Sequence, residues 1–154
     1  MSRLHVALSI VLCIVATTVA AAQDPFSGTW QLNKAKSTYD PGPGPDKSTV
    51  TIKSDGTTWT VKSTSSYEGK PLETSYTAKL DGTPAPIKGS PVYDMVSLKK
   101  IDDRNVELKS MKAGKTLSES RGTVSADGKT ATVTGTGMTP KGEKIKFTAV
   151  YEKP

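Results

Sequence analysis

Cysteine and histidine, two residue types that often act as nucleophiles, general bases or metal ligands, occur only near the start of this chain. Its single cysteine is Cys13 and its single histidine is His5. Both lie within residues 1 to 22, which have the pattern of a signal peptide: Arg3, the apolar run "VALSIVLCIVATTVA", and small residues ending at Ala22. Cleavage there would leave no thiolate, no Ser-His-Asp triad, no disulfide and none of the usual zinc or haem ligands. We therefore expect a protein without a metal, a cofactor or an enzymatic activity.

The same leader predicts where the protein is found. Its apolar part is too short, and too rich in Thr at its end, for a membrane span, which disfavours the alternative of an uncleaved anchor. Lipidation of Cys13 is also disfavoured, because Leu12 precedes it where a lipoprotein signal needs a small residue. A domain without disulfides is ordinary in the bacterial periplasm. The sequence thus predicts a periplasmic or secreted protein with no membrane span after cleavage.

Length and charge indicate one small domain. Removal of the first 22 of 154 residues leaves 132, enough for a single core, so residues 23 to 154 are predicted to form one domain. Loss of Arg3 lowers the formal charge from +6 to +5. The lysines are scattered with few aromatics between them, which is typical of a solvated surface. We expect a monomer that does not bind nucleic acid.

Short segments that alternate apolar and polar residues recur between turn sequences such as "SDGT", "LDGT" and "SADGK". This is the pattern of consecutive β-hairpins, an antiparallel meander without a long amphipathic helix. Segment 34 to 47, "KAKSTYDPGPGPDK", is the exception, because its prolines and glycines favour a long loop. The predicted strands contain the sequences "TVTIK", "TWTVK", "SYTAKL", "MVSLKK", "NVELK", "TATVTG" and "IKFTAVY".

The number of strands favours a closed sheet. About nine or ten strands with one apolar face each are too many for a flat sheet whose two faces are both exposed to solvent. Closure buries the apolar faces and removes the free edges. The predicted fold is therefore all-β, an antiparallel up-and-down meander barrel of about nine or ten strands, with a two-sheet sandwich as the alternative.

The turn within "TVTIKSDGTTWTVK" predicts the face of one tryptophan. A two-residue turn at positions 55 and 56 would place Ile52 opposite Trp59 and Val50 opposite Val61. One face of that hairpin is then wholly apolar. Trp59 is accordingly predicted to lie in the core or in the wall of a ligand cavity.

The turn "SADGK" determines the direction of Arg121. With Gly128 in a left-handed bulge position, which is the prediction, Arg121 and Glu119 face the barrel interior. A two-residue turn would instead pair Val124 with Ala131 and point Arg121 outward. An inward charge must be paired, packed on an aromatic ring or matched by an anionic ligand. A rim ion pair, a cap on a tryptophan and a carboxylate-binding site therefore stay open.

The stretch "FSGTWQLN", which contains Gly28 and Trp30, leads into the first predicted strand. It resembles the Gly-x-Trp signature of the lipocalins and their calycin relatives, in which the tryptophan plugs one end of a β-barrel. The stretches "WQLNKAKS", "PGPGP", "SLKKID" and "SADGKTATVTGTG" make most of residues 24 to 153 similar to small exported bacterial lipocalin-like proteins. The resemblance implies a lipocalin-like barrel in which a late arginine packs on the tryptophan, and Arg121 is the candidate here.

Two functions from different classes are compatible with these patterns. The first is binding of a small apolar or amphipathic ligand inside the barrel, with Arg121, Glu119 and Trp59 as candidate ligand-binding residues and Gly135 and Gly137 leaving room inside. The second is a non-enzymatic structural or interaction role in the cell envelope, with a barrel filled by its own side chains. Low aromatic content and Thr-rich strands favour the second. The volume of an internal cavity distinguishes them.

Overall fold

The computed structural model describes residues 22 to 154, so the predicted signal peptide lies outside the described residues except for Ala22. Within that range the chain is all-β, and its single helical segment is a 3-10 turn at Lys34–Lys36. The strands are β1 (Gly28–Leu32), β2 (Thr38–Asp40), β3 (Lys47–Ser54), β4 (Thr58–Tyr67), β5 (Lys70–Lys79), β6 (Ala85–Lys88), β7 (Met95–Asp102), β8 (Asn105–Lys112), β9 (Lys115–Val124), β10 (Thr130–Met138) and β11 (Lys144–Glu152).

Ten of these strands form a closed antiparallel up-and-down barrel. From β3 to β11 each strand pairs with the next one along the chain, and β1 pairs with both β3 and β11. The pairs Gln31 with Glu152 and Leu32 with Tyr151 close the ring. The predicted meander barrel is confirmed, and the alternative of a two-sheet sandwich is wrong.

Two short strands differ from the sequence-based expectation. β2 lies within segment 34 to 47, which was predicted as a loop, and it pairs only with β11, through Tyr39 opposite Phe147. It is followed by Pro41, a residue that is tolerated next to an edge strand but not in a central one. β6 is bonded through only two residues on each side. Both strands are too short to show an alternating pattern.

The β3–β4 hairpin keeps the predicted apolar face but has a different register. Ser54 lies opposite Trp59 and Ile52 opposite Val61, so the predicted pairing of Ile52 with Trp59 is wrong. The Asp55 carboxylate shapes the turn by accepting hydrogen bonds from the N–H groups of residues 57 and 58. The shift is two residues, an even number, so every side chain stays on its predicted face.

The β9–β10 hairpin differs from the prediction by one residue, and this reverses the face of Arg121. Val124 lies opposite Ala131 and Arg121 opposite Thr134. Gly128 does have the predicted left-handed conformation, with φ +70°. Arg121 is nevertheless exposed on the outer face of the barrel, because an odd shift moves a strand's side chains to the other face.

Hydrogen bonds within the loop explain the extra residue. Asp127 Oδ1 accepts from the N–H of Lys129 at 3.0 Å, and Ser125 Oγ accepts from the N–H of Thr130 at 3.1 Å. The backbone N–H of Ser125 donates to the Thr130 carbonyl at 2.8 Å. The strands therefore close on the pair Ser125 and Thr130, and Lys129 stays in the loop. The predicted bulge at Gly128, which would shift the β9–β10 register by one residue, is wrong.

Aromatic side chains close one end of the barrel. Trp30 is only 2% exposed, and its indole N–H donates to the Phe26 carbonyl at 2.8 Å. The rings of Phe26 and Trp59 pack with their centroids 4.9 Å apart. The Lys153 ammonium lies 4.7 Å from the centroid of the Trp30 ring, a cation–π contact. The residue that packs on Trp30 is thus Lys153 and not Arg121.

Hydrogen bonds hold the segment before β1 at the same end of the barrel. Asp24 Oδ2 accepts hydrogen bonds from Trp59 Nε1 at 2.8 Å and from Ser54 Oγ at 2.7 Å. Gly28 follows with φ +123°, and a Cβ there would lie 3.3 Å from the Lys153 side chain. L-residues with a side chain rarely adopt this conformation. The backbone therefore requires the glycine of the Gly-x-Trp stretch.

Candidate functional site

The side chains that point into the barrel leave a cavity next to the closed end, here called the lower cavity. Its volume is about 280 Å³. Most of its wall is apolar, and its larger members include Trp30, Trp59, Phe147, Val50 and Leu108. Only Ser63, Tyr76 and Tyr151 bring hydroxyl groups to it, and none of its lining residues is charged. The lower cavity thus suits an apolar group.

A second cavity of about 190 Å³, here called the upper cavity, adjoins the lower one because Ser63 lines both. None of its lining residues carries a charge at neutral pH. Its hydroxyl groups come from Ser63, Ser65, Thr74, Ser90, Ser110, Tyr67 and Tyr93. The interior therefore changes from apolar near the closed end to hydroxyl-rich farther from it.

Four inward-facing residues form a connected group, here called the hydroxyl chain: Ser63, Ser65, Ser48 and Tyr151. Ser65 Oγ donates to Ser48 Oγ at 2.9 Å, and the Tyr151 hydroxyl donates to the same atom at 3.3 Å. Ser63 Oγ lies 3.4 Å from Ser65 Oγ. Ser48 is 6% exposed. Polar groups buried in this way are stable because they are hydrogen-bonded to one another.

Burial moves the pKa of three tyrosines around these cavities further above physiological pH. It raises the pKa of Tyr76 and of Tyr151 above the usual range, and it raises the pKa of Tyr67 to about 12. A phenol loses its proton only near or above its pKa, so none of the three is ionised at physiological pH. The tyrosines add hydroxyl groups to the interior without adding charge.

A third cavity, on the surface, shares part of its wall with the upper one. It has a volume of about 190 Å³ and shares Tyr67, Leu72 and Pro140 with the upper cavity. Glu68 and Lys141 also line it, and their 2.8 Å ion pair joins the β4–β5 hairpin to the β10–β11 hairpin. The hydrogen bond from Lys141 holds the pKa of Glu68 below its usual value. The surface, upper and lower cavities thus adjoin in that order.

The structure does not bring the predicted ligand-binding residues together. Trp59 lines the lower cavity. Arg121 is exposed on the outer face, and Glu119, also outside, forms an exposed ion pair with Lys109 at 3.4 Å. The predicted inward placement of Arg121 and Glu119 is wrong, because the β9–β10 register differs by one residue. A carboxylate site built on these two side chains inside the barrel has no structural basis.

The hydroxyl chain was missed, although the sequence carries a signal for part of it. Residues two apart in a strand share a face, and the inward series in β4 that begins with Trp59 continues through Ser63 and Ser65. Ser48 and Tyr151 belong to β3 and β11. Only closure of the barrel brings these two to the same place, so spacing along the chain does not reveal them.

Comparison with known proteins identifies no family for this chain, so the structure is the main evidence about its function. A scan against protein-family models and a search of curated proteins found no match to this chain. The fold defines a class: a closed antiparallel β-barrel of ten strands, compatible with a lipocalin-like fold. Within residues 22 to 154, no three His, Cys, Asp or Glu side chains are grouped to hold a metal ion. No helix in the described part of the chain is long and apolar enough to cross a membrane.

Proposed function

We propose that the protein is an exported lipocalin-like β-barrel that binds a small apolar or amphipathic molecule in its interior. The observation that carries the proposal is the lower cavity, whose volume of about 280 Å³ is just below the usual range of about 300 to 1,000 Å³ for ligand pockets. Its apolar walls offer water few hydrogen bonds. Transfer of an apolar ligand from water into the cavity is favourable by about 25 cal/mol for each Å² of apolar surface buried.

The alternative, a structural protein with a filled barrel, is less well supported. One of its two arguments was the abundance of threonine in the strands. In β10, however, Thr134 and Thr136 are exposed and Thr134 Oγ1 lies 3.3 Å from Thr148 Oγ1, while the buried positions are Ala131 and Gly137. Threonines therefore cover the outside of this part of the barrel, and small residues face inward.

Binding of the neutral apolar dye N-phenyl-1-naphthylamine tests the proposal, because the dye becomes fluorescent when it leaves water. We expect the protein to bind it, and Val50→Phe to weaken binding at least about tenfold, because the added ring fills the lower cavity. Overpacking of this kind costs about 1 to 3 kcal/mol of stability. Thr49→Phe is the matched control, since it places the same ring on the outer face.

Circular dichroism of both phenylalanine variants establishes that they are folded. Thr49→Phe and Arg121→Met, which change exposed residues, are expected to bind the dye as the unaltered protein does. Failure of the unaltered protein to bind the dye would contradict the proposal. Equal binding by Val50→Phe would place the dye outside the barrel and would contradict it as well.

We also propose that the protein is exported to the periplasm or the medium and that it is a monomer. The leader pattern of residues 1 to 22 supports the export. Within residues 22 to 154, Asp24 is the first residue whose side chain is hydrogen-bonded to the barrel, so cleavage after Ala22 leaves that contact intact. N-terminal sequencing of the exported protein is expected to begin at Gln23. Its melting temperature is expected not to change with reductant, because Cys13 has been removed. A membrane-bound product that retains Met1 would contradict this proposal.

A further inference from the structure

We infer that the ligand is an uncharged amphiphile: its apolar part occupies the lower cavity and its hydroxyl group bonds to the hydroxyl chain where the lower and upper cavities meet. The inference rests on the proposed function, because it names the chemical class of the molecule bound at that site. Two independent features of the interior carry it. They are the absence of charge from the walls of both cavities and the unused hydrogen-bonding capacity of the hydroxyl chain.

The first feature excludes ionised ligands. Among the residues that line the lower and upper cavities, none is Asp, Glu, Lys or Arg. Lys153 contacts the ring of Trp30 and lies 3.4 Å from the Pro25 carbonyl, but it lines neither cavity. A carboxylate buried without a cation loses its hydration and gains no compensating charge. The interior therefore selects against anions.

The second feature selects for a polar neutral group. Ser48 Oγ accepts hydrogen bonds from both Ser65 and Tyr151, and within residues 22 to 154 its own O–H donates to no recorded acceptor. Because Ser65 donates to Ser48, the proton shared between Ser63 and Ser65 comes from Ser63. The Ser63 oxygen then keeps its lone pairs for another donor. Ser63, which lines both cavities, thus offers an acceptor to a ligand hydroxyl.

A ligand hydroxyl matches this arrangement because it can donate to Ser63 while it accepts from another group. A carbonyl group can accept but not donate, so it has no matching partner at Ser63. Ser63 lines both cavities, and a polar group bonded to it lies at their boundary. The attached hydrocarbon then extends toward Trp30 and Trp59, which wall the lower cavity.

The test compares 1-decanol with decanoate, two probes of the same chain length, by displacement of N-phenyl-1-naphthylamine from the processed protein. At pH 7.5 we expect the alcohol to bind at least about 100-fold more tightly than the ionised acid, since the site lacks a cation for the carboxylate. If only the neutral acid binds, the apparent affinity for decanoate rises about tenfold for each pH unit between pH 8 and pH 6. The processed chain contains no histidine, so no side chain with an ordinary pKa titrates in that interval.

Two variants test the role of the hydroxyl chain. Ser63→Ala is expected to weaken decanol binding about three- to tenfold, the effect of one net hydrogen bond. Thr64→Ala is the matched control, because it removes an exposed hydroxyl from the neighbouring position of β4. Equal decanol binding by Ser63→Ala and the unaltered protein would overturn the assignment of the polar group to Ser63.

The outcomes separate this inference from the function on which it rests. If the dye and decanoate bind but decanoate equals or exceeds decanol at pH 7.5, the neutral-ligand inference fails and the proposed function stands. If the dye, decanol and decanoate all fail to bind, the proposed function fails and the inference fails with it. Tight decanol binding together with the expected pH dependence of decanoate supports both.

Discussion

Replacement of Trp30 by alanine is expected to lower the free energy of unfolding by about 3 to 5 kcal/mol, the range for truncation of a buried aromatic side chain. The indole is 2% exposed at the closed end of the barrel. Truncation removes its packing and also leaves the buried Phe26 carbonyl without the donor that lies 2.8 Å away. Denaturant unfolding of the processed chain, followed by circular dichroism, measures the loss.

Two milder variants distinguish the contribution of the Trp30 ring to stability from the contributions of its hydrogen bond and of Lys153. Trp30→Phe keeps an aromatic ring but removes the indole donor, and it is expected to cost less than alanine. Lys153→Met keeps an unbranched stem beside the ring and removes the cation, with an expected loss of about 0.5 to 1 kcal/mol. A loss below about 1 kcal/mol for Trp30→Ala would contradict its core position and remove the main support for the likeness to Gly-x-Trp barrels.

Gly135→Ala is expected to cost about 3 kcal/mol although it adds only one methyl group. A Cβ at this position would overlap the Glu119 carbonyl oxygen and lie 2.6 Å from the Ser120 Cα atom. Both are backbone atoms of β9, so relief of the overlap requires β9 and β10 to separate near the pair of Gly135 with Ser120. The close approach of two strands thus requires this glycine, which was predicted merely to leave room inside. The loss is measured by denaturant unfolding.

Gly137→Ala is the matched control in the same strand. Its Cβ would lie 3.3 Å from both the Phe147 ring and the Ser118 hydroxyl, which are side-chain atoms and can move. We expect a loss of about 1 kcal/mol or less. Similar losses for both glycine variants would contradict the explanation by backbone contact between β9 and β10.

The two hairpins with predicted registers show how far local reasoning reaches. For β3–β4 the predicted pairing was wrong by two residues, yet Trp59 and Val61 are buried on the same face as expected. For β9–β10 an error of one residue placed Arg121 inside, whereas it is exposed. A register error of an even number of residues leaves each side chain on its predicted face, whereas an odd error moves it to the opposite face. The odd error arose because the Ser125 and Asp127 side chains accept backbone hydrogen bonds that set the loop length.

The all-β class, the apolar face of most strands and the closure of the sheet could be predicted from the sequence alone. These properties depend on a period of two and on turn residues, which are local. Three others needed distant parts of the chain in contact: the packing of Lys153 on Trp30, the meeting of Ser48 with Tyr151, and the volume of the lower cavity. A cavity is the space left after side chains from many strands have packed, and no single strand specifies it.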